Sequence, residues 1–387
     1  MPFILKKPHH KSKGIIVFTH KERDFLESNI SVLERAFLEL KKTYVIGMHW
    51  GHFSRGVGDI PFVDFHLTGK GTVIFNKDTK AVVIPLSSRN FIPDCFYNKY
   101  LNKCWDVINI SRPLILKNLD QFFQVVKKIY KKDGLIKVLL ICPCPYEIKT
   151  SEGWYEEIYE DYLKIFSMEE RKYFTLLMLR GDGYPFPLAP QMIADFYNLS
   201  KVFAMFSDKE GESRVIAEAL LCGLPVIVKK ELQGGGRDYL TSENSHQFSS
   251  LDEAADMMVN IIKNYKKFKV DTDFLNSNLS EKYTSKKLRK ELRKVFAHLK
   301  INFEGGLDLI DLSRKLPGHF IDLPVGLRRS VTNDLNSHKS ALIYINQLLG
   351  RKIRYRKILI LETERWFRYY LNLIKLCIKK IDKVLRK

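Results

Sequence analysis

Glu210 and Glu218 stand with seven residues between them, and the intervening stretch holds Gly211, Glu212, Ser213 and Arg214. A carboxylate accepts hydrogen bonds side by side, so one carboxylate can hold two adjacent sugar hydroxyls. Two carboxylates at this spacing can therefore hold two different sugars. Gly211 lets the backbone approach a ligand closely. The residues from Ser213 onward read as a helix, whose unpaired first N–H groups and positive dipole end suit a pyrophosphate.

The elements that must position these groups follow the grammar of an α/β protein. Residues 202–206 read as a strand, 213–222 as a helix closed by Gly223, and 225–228 as the next strand. The loop carrying Glu210 thus lies outside the carboxyl end of a parallel strand, where open α/β sheets bind ligands. Upstream, strands at 107–110, 137–142 and 174–179 alternate with helices at 119–130, 155–166 and 190–197. An earlier series begins with a strand at 14–20. A helix follows around Ile30, Leu33, Phe37 and Leu40, then strands at 44–48, 72–75 and 81–84. This alternation predicts mostly parallel sheets with helices on both faces.

On these residues the chain resembles the retaining family 4 glycosyltransferases, whose EX7E segment matches Glu210 to Glu218. The downstream Gly223-Leu224-Pro225-Val226 and Gly234-Gly235-Gly236-Arg237-Asp238 fit the same pattern, and Arg112 and Lys117 resemble the family's R-x4-K pair. The resemblance covers about residues 105–300. It implies a GT-B fold, two Rossmann-like domains facing a cleft, with a helical basic C-terminal extension. The expected division is 1–104 for a short acceptor domain, 105–299 for the nucleotide-sugar domain and 300–387 for the extension. It also implies that Glu210 contacts the donor sugar as the catalytic residue and that Glu218 contacts the nucleotide ribose. Arg112 and Lys117 grip the donor diphosphate, each charge-assisted bond contributing about 1.5–3 kcal/mol. Gly211, Glu212, Ser213, Arg214, Gly235 and Gly236 complete the expected donor site. Arg214 reads as a solvated or phosphate-facing helix residue, and Gly234 to Gly236 as a flexible turn or a close approach to the donor. No cofactor beyond the donor substrate is expected, and no metal: Asp271 and Asp273 read as a loop rather than a DxD site. Arg180-Gly181-Asp182-Gly183 reads as a turn near the position of the base.

The amino-terminal half departs from the family pattern. After the first strand, where the family carries a glycine-rich loop, stands His20-Lys21-Glu22-Arg23-Asp24-Phe25, without a glycine. Residues 48–59 mix aromatics, glycines and cations, and are the best candidate for the acceptor side through His49, His52 and Arg55. His49, His52 and His66 are candidate contacts to the donor sugar, set against structural roles for each.

The formal charge of +20 points to anionic partners, among them nucleotide phosphates and phospholipid surfaces. Half of it lies between Arg351 and Lys387, where thirteen Lys or Arg face three Asp or Glu. The apolar positions there, including Trp366, Phe367, Tyr370, Leu371 and Ile374, recur at helical spacing. Such a helix can lie in the headgroups of an anionic membrane, or pack its apolar face on the first domain, or do both. Its lack of a recognition motif sets nucleic acid aside. Six cysteines without a CxxC spacing read as reduced thiols. With neither a signal peptide nor a membrane-spanning run in the sequence, the expected location is the cytoplasm, peripheral on the inner face of the membrane. The expected activity is transfer of a sugar to a surface-polysaccharide, lipopolysaccharide or lipid-linked acceptor. The alternative, motivated by the short first domain, is a non-catalytic scaffold in a polysaccharide assembly complex.

Overall fold

The structure is a computed structural model describing residues 2–19, 22, 26–27, 29–50, 60, 62–69, 80–145, 154–181, 188–268, 270–310 and 312–316. The first unit is built on β1 (Phe3–Lys6), β2 (Gly14–Thr19), β3 (Tyr44–His49), β4 (Phe65–Leu67) and β5 (Val82–Ile84), in that spatial order. β1 runs antiparallel to β2, and the remaining pairs are parallel. β2 and β3 are buried at every position, as strands covered on both faces must be. One cover is α1 (Ile30–Thr43), which lays Leu33, Phe37 and Leu40 against Ile16, Phe18, Ile46 and Met48. Residues 72–75 lie outside the described residues.

The second unit holds β6 (Trp105–Ile110), β7 (Val138–Pro145), β8 (Phe174–Gly181) and β9 (Ser200–Met205). β10 (Lys209–Glu212), β11 (Val226–Lys229), β12 (Gln233–Gly235) and β13 (Ser245–Phe248) follow. Its main sheet is ordered β13-β11-β9-β6-β7-β8, every pair parallel, while β10 and β12 form a separate parallel ribbon. Its longer helices are α2 (Leu119–Lys132), α3 (Trp154–Ile165), α4 (Pro190–Asn198), α5 (Arg214–Leu221), α6 (Leu251–Asn264) and α7 (Thr272–Leu279). α2, α3 and α6 share one core with Phe122, Phe123, Tyr162, Phe166 and Met258, and α4, α5 and α7 share the other with Tyr197, Leu220 and Leu275. The chain steps from β6 to β7 and β8, then returns to place β9 on the opposite side of β6. The strand order reverses there, at the carboxyl ends of β6 and β9, the place where open α/β sheets bind ligands.

The 18-residue helix α8 (Glu281–His298) leaves the second unit and crosses to the first. Leu288, Leu292, Val295 and Phe296 pack with Leu5, Ile15, Val17, Val45, Phe65 and Leu67, covering the face that α1 leaves open. Its outward face exposes Lys286, Lys287, Lys290, Arg293 and Lys294. Asp271, read from sequence as part of a loop, instead caps α7 by accepting from the Phe274 N–H at 3.0 Å, and Asp273 lies inside that helix.

Candidate functional site

The crevice is assembled by two connections. After β6 the chain passes through Arg112, which is half-buried, and a 3-10 turn at Ile115–Lys117. Asn118 then adopts a left-handed conformation, with φ 47°, to start α2. The Asn118 side-chain amide donates to the Phe206 carbonyl at 3.0 Å, and the Asp208 N–H donates to the Leu116 carbonyl at 3.2 Å. These bonds join the end of β6 to the end of β9 and carry Lys117 to Glu210. The Lys117 ammonium donates to Glu210 Oε1 across 93 positions of sequence, the two side chains only 15% and 10% exposed.

Glu210 lies on β10, opposite Gly234 of β12. A third bond, from the Gln233 N–H to the Asp208 carbonyl at 2.9 Å, fixes the ribbon's start. Close approach explains the glycines. A methyl group at Gly235 would lie 2.8 Å from the Gly211 carbonyl oxygen, and Gly236 has φ +100°, a region that disfavours other residues. A methyl at Gly236 would also stand 3.2 Å from both Ser213 Cβ and Ile216 Cδ1. The two glycine-bearing segments are thus pressed together at the start of α5. Ser213 is its N-cap and gives no side-chain bond to the helix, whose first-turn N–H groups have no partner within the helix itself.

Glu218 is buried on α5 with its carboxylate 3.3 Å from Arg214 Nη2, one turn earlier. Arg214 therefore meets an acid of its own helix. On the same side stands Tyr197, fully buried, whose phenol is pushed well up by burial and further by the Glu218 carboxylate. Burial also pushes the Cys222 thiol up, again with Glu218 adding to it. Asp208, at the mouth of the crevice, is held below the ordinary carboxylate range. Burial works to raise it, and the Asn118 amide and Lys229 ammonium outweigh that. Among the described residues, no group of three or more His, Cys, Asp or Glu is placed to hold a metal ion.

On the first unit, His49 ends β3 and is 1% exposed. His66 is equally buried, and its Nδ1 accepts from the Trp50 indole at 2.8 Å, a packing role within the first core. His52 and Arg55 lie outside the described residues, as do residues 51–59 generally. The structure adds a group that sequence reasoning missed, the 3-10 turn Ser88–Asn90. Arg89 pairs with Asp238, and the Asn90 amide donates to the Tyr239 hydroxyl at 2.8 Å and to the Asn278 carbonyl at 2.9 Å. The partners are 149 or more positions away, and neither periodicity nor a motif marks them.

Two Rossmann-like sheets, parallel but for β1 and each covered on both faces, joined by the crossing helix α8 and meeting over a crevice at the switch point, define the GT-B fold. Solved structures share it. Sucrose-phosphate synthase from Thermosynechococcus elongatus matches with a TM-score of 0.51 and 13% identity, over 73% of this chain and 74% of that one. A glycosyltransferase from Rickettsia africae ESF-5 matches with a TM-score of 0.50 and 14% identity, over 72% and 81%. TarM matches with a TM-score of 0.49 and 14% identity, and this chain spans 54% of TarM's length. At these identities the likeness is one of fold. No protein-family model and no curated protein matches the chain.

Proposed function

We propose that the chain is a retaining glycosyltransferase that takes a sugar from a nucleotide-diphosphate donor and passes it to a glycan or lipid-linked acceptor. One observation carries this reading: Lys117 and Glu210 meet at the carboxyl ends of β6 and β9, beside the start of α5. A sugar–diphosphate needs three things of a site, and this arrangement offers each. Cations and helix N–H groups meet the phosphate charge, which is the work of Lys117, Arg112 and the first turn of α5. A carboxylate, Glu210, orients the sugar and stabilises positive charge developing at its anomeric carbon. Bare backbone at Gly211, Gly235 and Gly236 allows close approach.

In the proposed reaction the bond from the anomeric carbon to the phosphate oxygen breaks, its electron pair leaving with the phosphate. The acceptor hydroxyl attacks from the same face and passes its proton to that phosphate oxygen. Glu218 holds the ribose. Because Glu218 is engaged by Arg214, ribose binding requires that pair to open or to share its oxygens. No metal enters this scheme. The donor site falls in 105–299 and the acceptor side in 1–104, with residues 300–387 as an extension.

The acceptor class we assign is a surface polysaccharide, lipopolysaccharide or lipid-linked glycan, worked on from the cytoplasmic side of an anionic membrane. The cationic outward face of α8 and the charge of residues 351–387 support contact with such a surface. The 351–387 segment itself lies outside the described residues. Among the described residues, no helix is long and apolar enough to cross a membrane.

Thermal unfolding of the full chain with a panel of UDP-, GDP- and other nucleotide sugars tests the donor site. A true donor at about 100 times its Kd adds about 2.7 kcal/mol to stability. The shift should shrink in Lys117→Ala. A panel without any stabilising nucleotide sugar sinks the proposal. Binding without transfer or hydrolysis would favour the non-catalytic scaffold instead.

A further inference from the structure

Arg89 sits on the turn between β5 and β6, on the first unit's side of the crevice, and is only 1% exposed. Its Nη2 donates to Asp238 Oδ2 at 3.1 Å, and Nη1 lies 3.0 Å from Oδ1. The guanidinium also faces the Tyr239 ring, with Cζ 5.3 Å from the centroid. That leaves most of the five N–H groups of a guanidinium without an acceptor. Nε has no hydrogen-bond acceptor, and Nη1 has no N–H aimed at one. Leaving a buried donor unsatisfied is costly, and more so for a charged group. A side chain that served only to strut two units together would gain nothing from those open donor positions.

The direction of the group shows what it can meet. A methyl at Gly235 would lie 2.7 Å from Arg89 Nη1 and 2.8 Å from the Gly211 carbonyl oxygen, so the guanidinium rests against bare backbone at Gly235, close to Gly211. The next residue, Gly236, packs on Ser213 at the start of α5. Arg89 therefore stands against the glycine segment that packs both on Gly211 and on the start of α5. A planar cation with open N–H groups at such a place matches a phosphate oxygen.

We propose that Arg89 binds the donor diphosphate, at the phosphate next to the sugar, and so supplies from the first unit the charge that Lys117 and α5 supply from the second. Asp238 holds the guanidinium ready and is its competitor for that anion. The proposal rests on the donor-site reading above.

Calorimetry on the full chain with UDP and GDP, against UMP and GMP, tests it. Arg89→Gln should weaken diphosphate binding by about tenfold or more, while monophosphate binding changes by less than about threefold. Arg89→Lys, which keeps the charge and loses the fork, should recover part of the loss. Because a buried substitution can disturb folding, Asp238→Asn gives a second arm with the opposite sign. It keeps Arg89, removes its competing anion, and should bind the diphosphate more tightly. Weaker binding in Asp238→Asn, in step with Arg89→Gln, makes the pair a strut and overturns the proposal. So does a diphosphate affinity that Arg89→Gln leaves unchanged but Lys117→Ala lowers, an outcome that keeps the donor site and removes Arg89 from it. Wild-type protein that binds none of these nucleotides overturns both readings together.

Discussion

Replacing Lys117 by methionine keeps most of the side-chain volume and strands the Glu210 carboxylate. The size of the effect follows from burial. Two unit charges about 4 Å apart attract by about 4 kcal/mol at the effective dielectric of a protein surface, and desolvation takes back part of this. Breaking a fully buried pair by removing one partner costs about 3–5 kcal/mol. Here the side chains keep 15% and 10% of their exposure, so some solvent reaches the orphaned group. We expect Lys117→Met to cost about 2 kcal/mol, Glu210→Gln a similar amount, and the double variant less than their sum. The coupling should be about 1–2 kcal/mol. Urea unfolding of the four proteins, followed by circular dichroism and by tryptophan fluorescence, gives the cycle. Trp50 in the first unit and Trp105 in the second report whether the units unfold together. Effects that add to within about 0.5 kcal/mol would mean that the two charges do not interact, and the assembly of the crevice argued above would fail with them.

Three other outcomes follow from single features of the structure. Asp208 is held below the ordinary carboxylate range, burial being outweighed by Asn118 and Lys229, so its ionised form favours the fold. That stability is present above the ordinary aspartate value of about 4 and is lost as pH falls through the lowered one. Asp208→Asn should flatten the acid limb of a melting-temperature profile below about pH 4; an unchanged limb contradicts the assignment. Cys104 is exposed, whereas Cys142 and Cys222 are buried and burial pushes the Cys222 thiol up. Brief alkylation of native protein at mildly alkaline pH, read by mass spectrometry, should mark Cys104 and spare the other two. Equal labelling of Cys222 would show that α5 is less closed than described. Leu292→Ala empties a fully buried position between α8 and the first sheet and should cost about 2–5 kcal/mol in urea unfolding. A cost under about 1 kcal/mol would mean that α8 is not a true cover for that sheet.

Much of the second unit is legible in the sequence because its signals are local. β6, β7, β8 and β9 are apolar runs, and α2 repeats Leu119, Phe122, Phe123 and Val126 at helical spacing. That Lys117 and Glu210 lie at one crevice follows from motif order combined with the rule that ligands bind at the carboxyl ends of strands; that they bond to each other does not. Other features leave no local trace. β10 and β12 are four and three residues long and carry three glycines between them, so neither shows a period of two. β4 has three residues and is fixed only by its neighbours β3 and β5. α8 has an evident apolar stripe, but the stripe does not say which sheet it covers. It packs on the first sheet because the opposite face there already belongs to α1. Arg89 escaped notice for a related reason. A lone arginine between a serine and an asparagine looks like any surface turn until Asp238 and Gly235 are folded onto it.

The two units are joined where both crossing segments touch. The Ile92 N–H donates to the Leu279 carbonyl and the Glu281 N–H donates to the Ile92 carbonyl, both at 2.9 Å, so the outgoing and returning chains pair at one point. Thr284 adds a hydroxyl bond to the Asn90 carbonyl at 2.5 Å. Ile92 and Leu279 also share the second unit's core, and Phe91, one residue earlier, lies in the core that α8 completes on the first sheet. The crossing is therefore held by packing on both sides as well as by backbone bonds. The pairs from Arg89 to Asp238 and from Asn90 to Tyr239 extend the same seam toward the Gly234–Gly236 segment, so the contacts between the units and the glycine ribbon are built from one short stretch of chain.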